Sequence, residues 1–193
     1  MDFSLTRETV PALVKYMEDV ILNGYNRLID LIQTTDARID QNSEEIRAQE
    51  AELVARMGAL TASVIKTMGI TILEKGKKDN KGDIYDAKHY SSKVFVLGKS
   101  ADPAPYRPDN MSRQVIDQFC LISEDGKFYE VMYSADDLIV DSYMGELTPR
   151  QLIDLYGYDA VFMLYKGMKQ YLEGQESLLS ALEVTLQFLV KPV

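Results

Sequence analysis

The sequence predicts an α+β protein in which helices at both ends of the chain flank a mostly antiparallel sheet of about five strands. Apolar residues recur at helical spacing in the first and last thirds of the chain, and short β-branched runs separated by turn residues fill the middle. We therefore expect three segments. Residues 1–69 form an N-terminal arm with coiled-coil character, residues 70–147 a β-rich domain, and residues 148–193 C-terminal helices that pack back on the N-terminal helices.

The N-terminal arm begins with the pattern of a long amphipathic helix. Pro11, in Thr9-Val10-Pro11, suits a helix start, because proline is well tolerated at the first helical position. A broad apolar stripe follows at spacings of three, four and seven: Leu13, Val14, Met17, Val20, Ile21, Leu28, Ile29, Leu31 and Ile32. Gly69 is the expected stop, because glycine readily takes the left-handed conformation that ends helices.

A narrower seam runs through the polar stretch that follows. Isoleucine or leucine recurs there at intervals of seven: Ile32, Ile39, Ile46, Leu53 and Leu60. If these residues occupy heptad position a, then Thr35, Asn42 and Gln49 occupy position d. This polar column resembles the I-x-x-N-x-x-x-I and I-x-x-T-x-x-x-I repeats of parallel trimeric stalk coiled coils. The resemblance covers about three heptads and concerns assembly only. It implies that the seam joins copies of the chain.

Two structures fit this stretch. In the first, the chain breaks near Thr34-Thr35-Asp36, or just before Asn42, whose spacing to Glu45 is similar to a capping box. A helical hairpin then forms within one chain. In the second, a single helix runs from about residue 10 to residue 68, on the order of 90 Å at ~1.5 Å per residue. Such a helix needs partner helices, most simply from other copies.

The middle segment carries the strand signals. Residues 70–73, 84–90 and 93–97 are predicted strands, and the lysine-rich residues 75–82 are a predicted turn or loop. The clearest signal is a β-hairpin in which residues 119–123 and 127–133 flank an Asp-Gly turn. Residues 138–140 form a further short strand.

A proline-rich loop interrupts the strands at residues 101–110. Three prolines within six residues exclude a helix or a central strand. Long loops without secondary structure often carry binding residues. We therefore name as a candidate binding loop Pro103, Pro105, Tyr106, Arg107 and Pro108.

The last segment predicts a short helix and a long one. Thr148-Pro149-Arg150-Gln151 has the residues of a capped helix start, Gly157 ends that helix, and Asp159 begins the next. The long helix contains two heptad series: Tyr165, Leu172, Leu179 and Leu186, and Val161, Met168, Gln175, Leu182 and Leu189. Because this segment is nearly neutral, we expect its long helix to be mostly buried, with the N-terminal stripe as its partner.

Composition and charge exclude several functions. With 21 basic and 30 acidic residues, the net charge of −9 argues against a nucleic-acid binder. Cys120 and His89 are the single cysteine and histidine, too few for a zinc site built from these residues. No signal peptide or membrane span is apparent. We expect a cytoplasmic protein without cofactor or metal.

Carboxylates cluster in one further place. Asp136, Asp137, Asp141 and Glu146 could perform acid–base chemistry or hold Mg²⁺, but a solvated loop is the favoured interpretation. The sequence contains none of the motifs G-x-x-x-x-G-K-[ST], G-x-G-x-x-G, G-x-S-x-G and H-E-x-x-H, which mark common nucleotide-binding and catalytic sites.

These observations favour a non-enzymatic oligomeric structural or interaction protein, either a homo-oligomer (dimer or trimer) or the binder of a protein partner. Its helices would mediate assembly and its β-rich part would present a recognition surface. One alternative is a small-molecule sensor with a pocket of Met and Tyr between the sheet and the C-terminal helix. A less favoured one is an enzyme that uses carboxylates and tyrosine.

Overall fold

The computed structural model describes residues 9–136 and 138–190 and confirms the α+β class. Its helices and strands are α1 (Thr9–Met68), β1 (Leu73–Lys78), β2 (Ile84–His89), β3 (Val94–Lys99), β4 (Asp117–Ser123), β5 (Phe128–Ala135), β6 (Ile139–Leu147), α2 (Pro149–Tyr156) and α3 (Asp159–Val190). The chain divides into two compact units, one ending at Ile46 and one beginning at Arg47. The three proposed domains follow the changes of secondary structure and stay a prediction.

α1 is one uninterrupted helix of 60 residues, so the single helix forms and the hairpin does not. No glycine or proline lies between Tyr25 and Met57 to interrupt it. At the possible break, the hydroxyl of Thr34 donates to the carbonyl oxygen of Asp30 at 2.8 Å, and Thr35 makes the equivalent bond one residue further on. These hydroxyls bond back within the helix instead of capping a new one.

In the part of the chain that the structure describes, the sheet has six antiparallel strands in the order β2-β1-β6-β5-β4-β3, against about five expected. The β4–β5 hairpin forms where it is predicted, and Gly126 in its turn has a φ of 79°, which favours glycine. β6 extends over Ile139–Leu147 and is therefore much longer than the predicted residues 138–140.

The prediction of a strand at residues 70–73 is wrong, and the predicted loop at residues 75–82 is correct only for the turn at residues 79–82. Ile70 forms an isolated antiparallel bridge with Val94, and the strand β1 instead runs through the lysine-rich Leu73–Lys78. β1 pairs with β2 on one side and with β6 on the other, so its backbone groups are satisfied by both neighbours. This pairing overrides the loop-like composition, and the turn is confined to the residues after Lys78.

The second unit has a core in which the end of α1, the sheet, α2 and the start of α3 meet. Its buried members are Val54, Ile65, Cys120, Ile122, Phe128, Leu147, Leu152, Ile153, Ala160, Val161 and Leu164. The end of α1 and the first turns of α3 therefore contribute to one core, whereas direct packing of the C-terminal helix on the N-terminal one stays a prediction. α1 also approaches the β4–β5 turn closely, since a Cβ on Gly58 would lie 2.7 Å from the carbonyl oxygen of Gly126.

The two C-terminal helices begin at the predicted residues. Thr148 and Gln151 form a reciprocal capping box, and Gly157 follows the last turn of α2. The expectation that α3 is mostly buried is wrong beyond its first turns. Between Leu172 and Leu189 the heptad leucines are 52–71% exposed, so a low charge did not indicate burial in this chain.

Candidate functional site

The isoleucines of the predicted seam lie on the surface of α1. Ile32, Ile39 and Ile46 are 54–56% exposed, and Asn42 between them is exposed as well. Because seven residues make close to two helical turns, these side chains lie along one face of the helix. A regular row of large exposed aliphatic side chains is typical of a helix face that a partner covers.

The later seam residues belong to the second unit, where Gln49, Leu53 and Leu60 are also exposed. The core contact of α1 uses other side chains, such as Val54 and Ile65. Successive residues are about 100° apart around a helix, so Leu53 and Val54 face different directions. The heptad seam is therefore separate from the side of α1 that packs on the sheet.

The heptad phase of Ile32 also continues towards the start of the helix. Val14, Ile21 and Leu28 occupy position d in that phase and Tyr25 occupies position a, with exposures of 49–68%. The sequence interpretation assigned most of these residues to a stripe that the C-terminal helix would cover. The sequence contains the signal that these residues extend the seam, because they occupy positions a and d of the same heptad repeat as Ile32.

The polar residues at position d differ in how their side chains are engaged. The Thr35 hydroxyl donates to the carbonyl oxygen of Leu31 at 2.8 Å, so it is satisfied within its own helix. The carboxamide of Asn42 carries both donors and an acceptor. It is therefore suited to pair with an identical side chain from a neighbouring helix, an arrangement that sets register and the number of strands.

The candidate binding loop is irregular, as predicted, and its residues differ sharply in exposure. Pro105, Tyr106 and Pro108 are exposed and Pro103 is half-buried, whereas Arg107 is only 2% exposed. The sequence predicts Arg107 as one of the loop's binding residues, but its side chain does not face solvent. Binding through the other loop residues stays a prediction.

Arg107 connects the loop to the sheet. Its Nη2 donates to Oδ2 of Asp141 on β6 at 3.1 Å, and its Nε lies 3.2 Å from Oδ1 of Asp109. Nη1 of Arg113 lies 3.8 Å from the same Asp141 carboxylate. A buried guanidinium is tolerated only when it is paired in this way. Arg107 thus fixes the loop, and Tyr106 beside it is the exposed aromatic side chain.

The acidic residues that could have formed a catalytic or magnesium site have structural partners. Asp141 is paired with Arg107, and Asp136 accepts backbone hydrogen bonds from Leu138 and Ile139 at 3.0 and 2.6 Å. These two hydrogen bonds lower the pKa of Asp136 below its ordinary value. Asp137 lies outside the described residues.

The cysteine, the histidine and the last carboxylate of the candidate cluster do not form a reactive site. Cys120 is buried in β4, where burial raises the pKa of its thiol to about 12, while His89 is exposed on β2. Glu146 forms a salt bridge with Lys127. Within residues 9–136 and 138–190, no group of three or more His, Cys, Asp or Glu side chains could hold a metal ion. No described helix has the length and apolar character that a membrane crossing requires.

A cavity lies between the sheet and α3, where a sensor would have its pocket. It has a volume of about 220 Å³ and is lined by residues that include Phe95, Leu97, Met163 and Gly167. Sites for drug-sized ligands occupy roughly 300–1,000 Å³. The cavity is therefore small for such a ligand, and the sensor hypothesis gains no support from it.

Comparison with protein-family models, curated proteins and solved structures finds no match to this chain. Its function is therefore inferred from the side chains and geometry described above.

Proposed function

We propose that this protein is a non-enzymatic assembly component whose copies associate through the seam on α1. The observation that carries the proposal is the row of exposed isoleucines, Ile32, Ile39 and Ile46, on an uninterrupted helix. Long amphipathic helices gain most of their stability from a partner that covers the apolar face. A second copy of the same helix has the matching seven-residue repeat.

A parallel, in-register arrangement of two or three copies suits the polar residues of the seam. Asn42 would then face Asn42 of each neighbouring copy, where the carboxamides can hydrogen-bond to one another. In an antiparallel pair each d residue meets an a residue, so Asn42 would face an apolar side chain. Its carboxamide would lose its hydrogen bonds at a cost of about 1–3 kcal/mol.

The β-rich part would supply the recognition surface, with the exposed tip of the loop at Pro105, Tyr106 and Pro108. Tyrosine is enriched in protein interfaces, and the buried Arg107 would hold this tip in one position. The engagement of Asp141 by Arg107 and the high thiol pKa of Cys120 support a binding role over a catalytic one.

The test is the strength of self-association of two double variants, measured by sedimentation equilibrium. The combination Ile39→Asp and Ile46→Asp places two charges in the seam. The matched control, Ala37→Asp with Ala48→Asp, places the same charges at heptad positions f and c, outside it. We expect the seam variant to associate at least about a hundredfold more weakly, or about 2.8 kcal/mol, because each aspartate would be buried without a partner.

The control should change the dissociation constant less than about threefold, since charges at exposed helix positions have small effects. Resistance of Cys120 to a thiol reagent shows in each variant that the second unit is still folded. Equal effects of the two double variants, or an unmodified protein that does not associate at all, would contradict the proposal.

A further inference from the structure

α3 carries a second apolar seam, which begins where the helix leaves the core. A Cβ on Gly167 would lie 2.6 Å from a ring carbon of Phe95, so α3 is still packed tightly against β3 at this turn. Beyond it the helix continues to Val190. Leucines occupy most a and d positions of this part and are 52–71% exposed: Leu172, Leu179, Leu182, Leu186 and Leu189.

We propose that this second seam, residues 168–190 of α3, binds the same segment of a second copy of the chain in a parallel coiled coil. The inference stands on α3 alone and does not require the seam on α1. The a and d leucines of one copy would pack between those of the other. In this register the one polar d residue, Gln175, faces its own counterpart, whereas in an antiparallel pair it would face Leu186.

The charges beside the second seam also favour the parallel direction. Glu176 and Glu183 occupy position e, and in a parallel pair they lie beside Tyr171 and Leu178 at position g of the other copy. No carboxylate then meets another. In the antiparallel pair, Glu176 of each copy would lie beside Glu183 of the other, and these two like-charge contacts would oppose association.

The apolar surface available on α3 is of the size that a stable interface needs. Burying one leucine side chain removes on the order of 100 Å² from water. The five exposed leucines at a and d, together with Leu178 beside them, would therefore supply on the order of 600 Å² per copy, which is the lower end of the range for a stable interface. A second copy supplies the same area with the same repeat.

Disulfide formation in the full chain tests this pairing. The Gln175→Cys variant places a thiol at position d without removing a leucine, and Ser177→Cys is the matched control at the outward position f. Under mild oxidation we expect Gln175→Cys to form a disulfide-linked pair of chains at least tenfold faster than Ser177→Cys. The native Cys120 is buried in β4 and does not compete.

The same reaction is repeated with Ile39→Asp and Ile46→Asp also present. Persistence of the fast Gln175→Cys disulfide there supports an α3 contact that is independent of the α1 seam, so failure of one proposal is distinguishable from failure of the other. Equal rates for Gln175→Cys and Ser177→Cys would overturn the inference. Preferential cross-linking of Gln175→Cys chains to Leu186→Cys chains would also overturn it, because that result indicates an antiparallel pair. Preferential cross-linking to Asn42→Cys chains would overturn it as well, because that result indicates that α1 covers the second seam.

Discussion

Replacement of Arg107 by methionine tests how the proline-rich loop is held on the sheet. The change removes the guanidinium but keeps an unbranched side chain of comparable reach, so Asp141 loses the donor at 3.1 Å. Breaking a buried ion pair costs about 3–5 kcal/mol. Asp141 keeps Arg113 at 3.8 Å and its side chain is 22% exposed. We therefore expect a loss of unfolding free energy at the lower end, about 3 kcal/mol.

Two further variants isolate the ion pair from the loss of a side chain. Arg113→Met removes a cation that is partly exposed and 3.8–3.9 Å from its carboxylates, so it should cost no more than about 1 kcal/mol. Arg107→Met combined with Asp141→Leu removes both partners of the buried pair. Asp109 also loses Arg107, but its side chain is 45% exposed and stays hydrated, and Arg113 keeps Asp136 at 3.9 Å. The double change should cost clearly less than the sum of the two single changes, because each single change strands a charge.

Urea unfolding followed by the near-ultraviolet circular dichroism of tyrosine is a suitable assay. The chain has 12 tyrosines and no tryptophan, and Tyr129, Tyr133 and Tyr143 lie on the sheet that the loop contacts. Measurement at two protein concentrations separates unfolding from dissociation. If Arg107→Met costs no more than Arg113→Met, the loop is not held by Arg107.

Three other predictions concern packing, pH and register. Gly58→Ala should destabilise the protein, because the new methyl would lie 2.7 Å from a carbonyl oxygen. Gly174→Ala, which has nothing within 4 Å of its new methyl, should gain up to about 1 kcal/mol of helix stability. Urea unfolding compares the two variants, and equal effects on the unfolding free energy would refute the close contact at Gly58. Burial raises the pKa of Tyr133 to about 12, whereas a tyrosine in the unfolded chain has a pKa near ~10. As the pH rises, the unfolded chain therefore loses this proton first, and the stability of the folded protein falls between the two values. Tyr133→Phe should make that fall shallower in unfolding curves taken across this range, and an unchanged slope would count against it. Asn42→Ile should make the assembly more resistant to urea, but its mass by light scattering should become heterogeneous. If the variant has the same single mass as the unmodified protein and the same resistance to urea, Asn42 does not set the register.

The features that the sequence predicted well depend on neighbouring residues. Gly126 in the β4–β5 turn takes the positive φ that an Asp-Gly turn requires, and Thr148 caps α2 through Gln151 three residues away. Such signals lie within a few residues of the structure they determine, so a single sequence contains them in full.

The features that it predicted poorly depend on distant partners. Lys75 and its neighbours form a strand because β6, more than sixty residues away, supplies backbone hydrogen bonds. Arg107 is buried because Asp141 arrives from the same distant strand. For α3, the heptad of leucines indicates that a face is suited to packing but not which surface covers it, so Leu172 and Leu179 were expected to be buried and are exposed.

The mass of the unmodified protein in solution tests the central claim most directly. Sedimentation equilibrium over a range of micromolar concentrations measures it without reference to shape. Association through the α1 seam predicts a mass of two or three chains, together with weaker association when Ile39→Asp and Ile46→Asp are present, which separates it from pairing through α3. A mass of one chain at every concentration would contradict it.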